Sequence, residues 1–409
     1  MKKLTQQLII IVTLFSNVEM VRAQDSLLIE AIKSNTYELN IDNERFTGEG
    51  ASVIKEAIRE SQFILIGEQH GIREVAEFTS GLFNEAAPNG YRYLCIETDP
   101  YIAAKLEELA GKSENEMALF LEQFPISIPF YDAKEEFQLL KTALSYKNDV
   151  GKTIWGVDQV FMAAPRYLFT ILLDEAKTEE ANEVVSSYIK RAKTSFDKFI
   201  ETSNPQNLIL LSLTESDFKR LNDAFGNEIS ENASNILTDI QTTQEIYLLW
   251  ANGKQYENNR VRSKLMKKQF MQYYNQALIF DSLPKVVFKF GSTHTYRGLS
   301  MYHQFDLGNL VSELTEMNGG YSVHFHVSGI RGMSQGYDGT PQSFDYYSGL
   351  NPYIRTVIDE SKHDNWVLID MRELRKSLKY NDLEKIKEVV FSYDFWIYVP
   401  EAHPHTKFK

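Results

Sequence analysis

The chain of 409 residues has a single cysteine, Cys95. That excludes an intramolecular disulfide framework, a CxxC redox site and a cysteine-rich zinc site. Positive charge is also scarce: 43 Lys and Arg stand against 56 Asp and Glu, a net charge of -13. A nucleic-acid binder needs basic residues to displace counterions from phosphates, so the balance argues against that class. Beyond the N-terminus no apolar run approaches the roughly 20 residues that span a bilayer, so no integral membrane segment is expected. There is no P-loop and no HExxH, and Gly48-Glu49-Gly50 is no dinucleotide loop because Val53 stands where glycine is required. What is present is ordinary for a folded protein: 43% apolar, 12% aromatic and 24% charged residues.

Lys2 and Lys3 precede an apolar run from Leu8 to Phe15, and Val21-Arg22-Ala23 follow. A basic start, a short apolar core and small residues before the cut make a secretory signal over residues 1–23. No cysteine follows the core, which excludes a bacterial lipid anchor there. The expected mature protein is exported, periplasmic or secreted, and soluble.

Gln62 to Gly67 reads QFILIG, a continuous apolar run that suits a strand buried on both faces. A helical stretch from Glu74 to Ala86 follows, then a break at Pro88-Asn89-Gly90 and a second strand at Tyr93 to Ile96. Lys152 to Val157 reads as a third strand. Helical spacing dominates from Phe161 to Phe280, and strands return at Lys285 to Phe290, Tyr321 to Val327, Trp366 to Ile369 and Phe395 to Val399. The expected fold is α/β: a mixed, mainly parallel central sheet flanked by helices. Its halves, 24–160 and 281–409, are separated by a large helical insertion at 161–280. Ser328 to Pro352, rich in Gly, Ser and Tyr, reads as a long loop.

One short motif occurs twice. Gly67-Glu68-Gln69-His70-Gly71 and Gly291-Ser292-Thr293-His294 each place glycine, two residues and histidine at the end of an apolar strand. Open α/β sheets gather ligands at the carboxyl ends of their strands, so neighbouring parallel strands would bring His70 and His294 into one crevice. The second strand ends in Glu97 and the third in Asp158. Two kinds of chemistry follow from such a set. A carboxylate that fixes one imidazole nitrogen leaves the other free to take a proton from water. Alternatively, His70, Glu97 and His294 could bind a divalent metal and acidify its water.

These residues resemble the opening motif of the erythromycin esterase family: Gly67-Glu68-Gln69-His70-Gly71-Ile72-Arg73-Glu74, with Phe78 soon after. The wider superfamily it resembles includes ChaN, TIKI and TraB, which share the paired glycine–two residues–histidine motif. Ile96-Glu97, Trp155-Gly156-Val157-Asp158, Arg262 with Met266, and Gly291 to His294 continue the likeness in order, and Tyr393-Asp394 to Tyr398 resembles the terminal strand. The resemblance implies His70 as general base with Glu68 and Glu74 near it, Glu97 and His294 completing the site, and Arg262 binding or polarising the substrate. The implied function is hydrolysis of an ester-like bond in a small molecule, with no cofactor required. The spacing Glu68-Gln69-His70 lacks a residue usual in erythromycin esterases and is closer to ChaN and TIKI. Those branches imply a haem- or iron-binding protein or a metal-dependent peptidase.

Other signals are weaker. Gly332-Met333-Ser334-Gln335-Gly336 matches a GxSxG nucleophile elbow, with Asp364, Asp370 and His403 after it in hydrolase order. Gly336, Gly339 and Pro341 are loop chemistry where an elbow needs a helix. His324 and His326 share one strand face and read as exposed. His403-Pro404-His405 reads as a disordered polar tail.

Overall fold

The computed structural model describes residues 25–147, 151–336, 339–361 and 365–408. The secretory signal expected at 1–23 and Asp364 of the candidate triad lie outside the described residues. Among the described residues ten strands make one sheet: β1 (Thr36–Asp42), β2 (Arg45–Thr47), β3 (Phe63–Glu68), β4 (Tyr91–Ile96), β5 (Ile154–Gly156), β6 (Lys285–Gly291), β7 (Ser322–Gln335), β8 (Pro341–Asp345), β9 (Trp366–Asp370) and β10 (Phe395–Ala402). Their order is β2-β1-β9-β10-β7-β3-β6-β4-β5, with β8 hairpinned onto β7. From β10 to β5 every pair is parallel, and each antiparallel pair involves β1, β2, β8 or β9. The fold is α/β, with a mixed and mainly parallel sheet.

β3 is buried at all six positions because helices cover both of its faces. Its alternate residues feed two cores. Ile64 and Ile66 join the larger one, with the helix Arg73–Ala86, while Phe63 and Leu65 pack against Met266, Phe270 and Tyr274 of the helix Gln255–Ala277. Each buried apolar side chain of that size contributes about 1.5–3 kcal/mol. Among the described residues, 161–280 hold helices and no strand. Val184, Ile236 and Ile240 from this stretch share one core with Leu94 and Ile154 of the sheet. No helix among the described residues is long and apolar enough to cross a membrane.

Three sequence expectations give way here. The stretch Ser328 to Pro352 is not a long loop: β7 runs on to Gln335, turns, and returns as β8. Ser334 therefore pairs with Gln342 inside an antiparallel hairpin, which removes the nucleophile elbow. His324 is fully buried, with Ser312, Ser322 and the Thr295 carbonyl around its ring, and is no exposed strand histidine. The C-terminal tail is ordered, because Pro404 bridges to Ile72 and Lys407 to Ala133 in antiparallel fashion.

Candidate active site

The parallel register sets Glu68 beside Gly291, so the two histidine motifs leave the sheet side by side. Glu97 follows β4 and Asp158 follows β5, on the same carboxyl edge. Gly67 needs to be glycine, since a Cβ there would run into Thr295 and Tyr393. Gly291 needs it too: a Cβ would lie 2.6 Å from His70 Nε2.

Each histidine has its own carboxylate. His70 Nδ1 donates to Glu68 Oε1 at 2.9 Å, and His294 Nδ1 to Asp306 Oδ2 at 2.7 Å. Both rings then turn Nε2 toward one acid, Glu97: His70 Nε2 is 3.7 Å from Oε2 and His294 Nε2 3.6 Å from Oε1. Glu97 is fixed between them by the Gly291 amide (2.6 Å) and by Arg262 Nη2 (2.7 Å). Arg262 also holds Asp158, through Nε at 2.9 Å and Nη2 at 2.6 Å. The His70 ring stacks flat on Phe130, with centroids 3.7 Å apart and planes 2° apart.

A buried cation lies behind this arrangement. Lys289, inaccessible to solvent, bridges Glu68 Oε2 at 2.7 Å and Glu136 Oε1 at 2.8 Å, and His405 Nε2 from the tail reaches Glu136 at 3.3 Å. Burial alone would raise the Glu68 carboxyl, but Lys289 and His70 hold it down to about 2. Burial pushes Glu136 up to about 7 despite Lys289. Burial disfavours imidazolium at His70, yet Glu68 and Glu97 outweigh it and raise the histidine above 6.5. His294 is likewise raised, with burial and Arg262 opposed by Asp306 and Glu97.

The crevice thus assembles His70, Glu68, Glu97, His294 and Arg262. Glu74 has a partner of its own: it opens the helix Arg73–Ala86, and its carboxylate takes the His403 amide and ring at 2.7–3.1 Å. That partner belongs to the tail, whose histidines pair with Glu74 and Glu136 and so fold against the site's underside. Sequence reasoning missed Asp306, Lys289, Glu136 and Phe130. Lys289 carried a signal, as a lone charge within the apolar run Val286 to Phe290; Asp306, twelve residues beyond its histidine, carried none.

Among the described residues no group of three or more His, Cys, Asp or Glu is arranged to hold a metal ion. The donor set gives the reason. Both oxygens of Glu97 already accept hydrogen bonds, and Arg262 and Lys289 supply the positive charge a divalent ion would bring. His70, Glu97 and His294 do come together, with Glu97 between the two rings.

Comparison with solved structures finds the same α/β fold in several proteins of low sequence identity. The erythromycin esterase EreC, as a variant in its open conformation, superposes with a TM-score of 0.57 at 11% identity, over 88% of this chain and 95% of that one. A succinoglycan biosynthesis protein matches with a TM-score of 0.60 at 14% identity, over 93% and 98%. A Bacillus cereus protein matches with a TM-score of 0.59 at 14% identity, over 94% and 99%. The likeness to a haem-bound ChaN of Campylobacter jejuni is much weaker, at a TM-score of 0.31. No family model matches the chain, and no curated protein matches it in sequence.

Proposed function

We propose that the chain is an exported hydrolase that cleaves an ester-like bond in a small molecule, with His70 activating water. The observation that carries this reading is the convergence of two carboxylate–imidazole pairs on Glu97. Glu68 holds the Nδ1–H of His70 and so leaves Nε2 as the basic nitrogen, on a side chain that is 32% exposed. That nitrogen removes a proton from water as the oxygen attacks the carbonyl, then returns it to the departing alcohol. His294, fixed by Asp306, and the Nη1 of Arg262, which lies outside its carboxylate bonds, would stabilise the oxyanion. No covalent enzyme intermediate forms.

The test is turnover of a panel of neutral esters by wild type and His70→Ala. Loss of about 10²–10⁴-fold in the variant is the expected outcome. Equal turnover, or a stoichiometric metal or haem absorption band in the purified protein, would contradict the reading.

A further inference from the structure

Beside the crevice, on the helical side, lies a cavity of about 380 Å³. Met162, Leu208, Ile246 and Trp250 form its apolar wall, and Arg262, which grips Glu97, closes its inner end. The volume is in the range of small-molecule sites. Its polar lining is distinctive. Gln159, Gln255, Asn258 and Asn259 contribute amides, and Arg262 is the one charged side chain, already paired with Asp158 and Glu97. Asn258 Nδ2 donates to the Ile246 carbonyl and Asn259 Nδ2 to that of Gln255, both at 2.8 Å, which leaves their oxygens as acceptors. A ligand bringing donors is favoured beside these amide oxygens, because a polar group that loses its water on binding needs a partner. Near the mouth, Tyr302 lines the cavity and Leu299, Met301 and Phe305 of the same loop are exposed.

We infer that this cavity binds the body of the substrate, and that the substrate is an uncharged, largely apolar molecule bearing hydroxyl or N–H donors. The inference rests on the hydrolase reading for what happens to the ligand, but not for its binding. Arg262, the one charge on these walls, is already balanced by Asp158 and Glu97, so an added charge gains little there and is penalised by desolvation. With the body in the cavity, the reacting end passes Arg262 toward Glu97 and His70.

Binding of N-phenyl-1-naphthylamine, an uncharged apolar amine with one N–H, tests this by fluorescence. Its anionic relative 1-anilinonaphthalene-8-sulfonate carries nearly the same rings. Saturable binding of the neutral probe, at least about tenfold tighter than the sulfonate, is expected, and Ile246→Asn should weaken it by about tenfold. Because Ile246 is buried and its variant can fail to fold, Trp250→Ala at a half-exposed position is the second variant, expected to weaken the probe severalfold. In wild type the probe should also inhibit hydrolysis of 1-naphthyl acetate competitively. Absent binding, binding that Trp250→Ala leaves unchanged, preference for the sulfonate, or binding without competition would overturn the inference. If no ester turns over at all while the neutral probe binds and Trp250→Ala weakens it, the cavity assignment is supported and the hydrolase reading fails alone.

Discussion

The two histidine arms begin alike and end differently. Both follow an apolar strand and a glycine, both bind a carboxylate through Nδ1, and both face Glu97. Yet the His70 side chain is 32% exposed and that of His294 only 6%. His70 takes its carboxylate from two residues before it, inside the strand, whereas His294 takes Asp306 from the N-terminal cap of the helix Leu307–Met317. The same short motif thus supplies one imidazole that is partly open to solvent and one that is enclosed. Repetition in sequence marks a shared location, and burial decides the role.

Removing each ring in turn should separate the two arms by the largest effect. His70→Ala is expected to lower turnover of a neutral ester by about 10²–10⁴-fold. His294→Ala should cost about 10²–10³-fold, the size of a lost oxyanion donor. If the His294 variant lost more, with circular dichroism unchanged, the roles would be reversed. Lys289→Met probes the charge behind the His70 arm, since it strands Glu68 and Glu136 in the interior. Breaking a buried pair costs about 3–5 kcal/mol, so urea unfolding should show a destabilisation of that order. The same arm is sensitive to acid: the Glu68 carboxyl lies below its unfolded value, so its contribution is present above the ordinary carboxylate range and fades as pH falls toward about 2. Smallest is Glu74→Gln, which weakens the bonds to His403. A loss of about 1 kcal/mol is expected, read as faster hydrogen exchange at the His403 amide with the rest of the chain unchanged.

How far the site was legible follows from where its residues stand. Glu68, His70, Glu97, Asp158 and His294 all close apolar strands, and parallel strands carry such ends to one edge. The partner of Glu74 was not legible because a helix's first turn gives no indication of which distant segment it will meet; His403 lies 329 residues away. The tail looked disordered for the same reason: polar composition hides the fact that two of its histidines have buried carboxylates waiting. β1, with its alternating polar residues, was missed because it buries only one of its seven positions, although it is paired on both sides by β2 and β9. The hairpin of β7 and β8 was hidden by glycines that read as loop chemistry.

The most direct measurement is the pH dependence of kcat/KM for a neutral ester, in wild type and in Glu68→Gln. His70 acts as a base only when deprotonated, and its neighbours raise it above 6.5. Activity should therefore fall on the acid side with a midpoint above 6.5, and that midpoint should move down when Glu68 loses its charge. A profile without an acid limb, or one that Glu68→Gln leaves in place, would contradict His70 as the base.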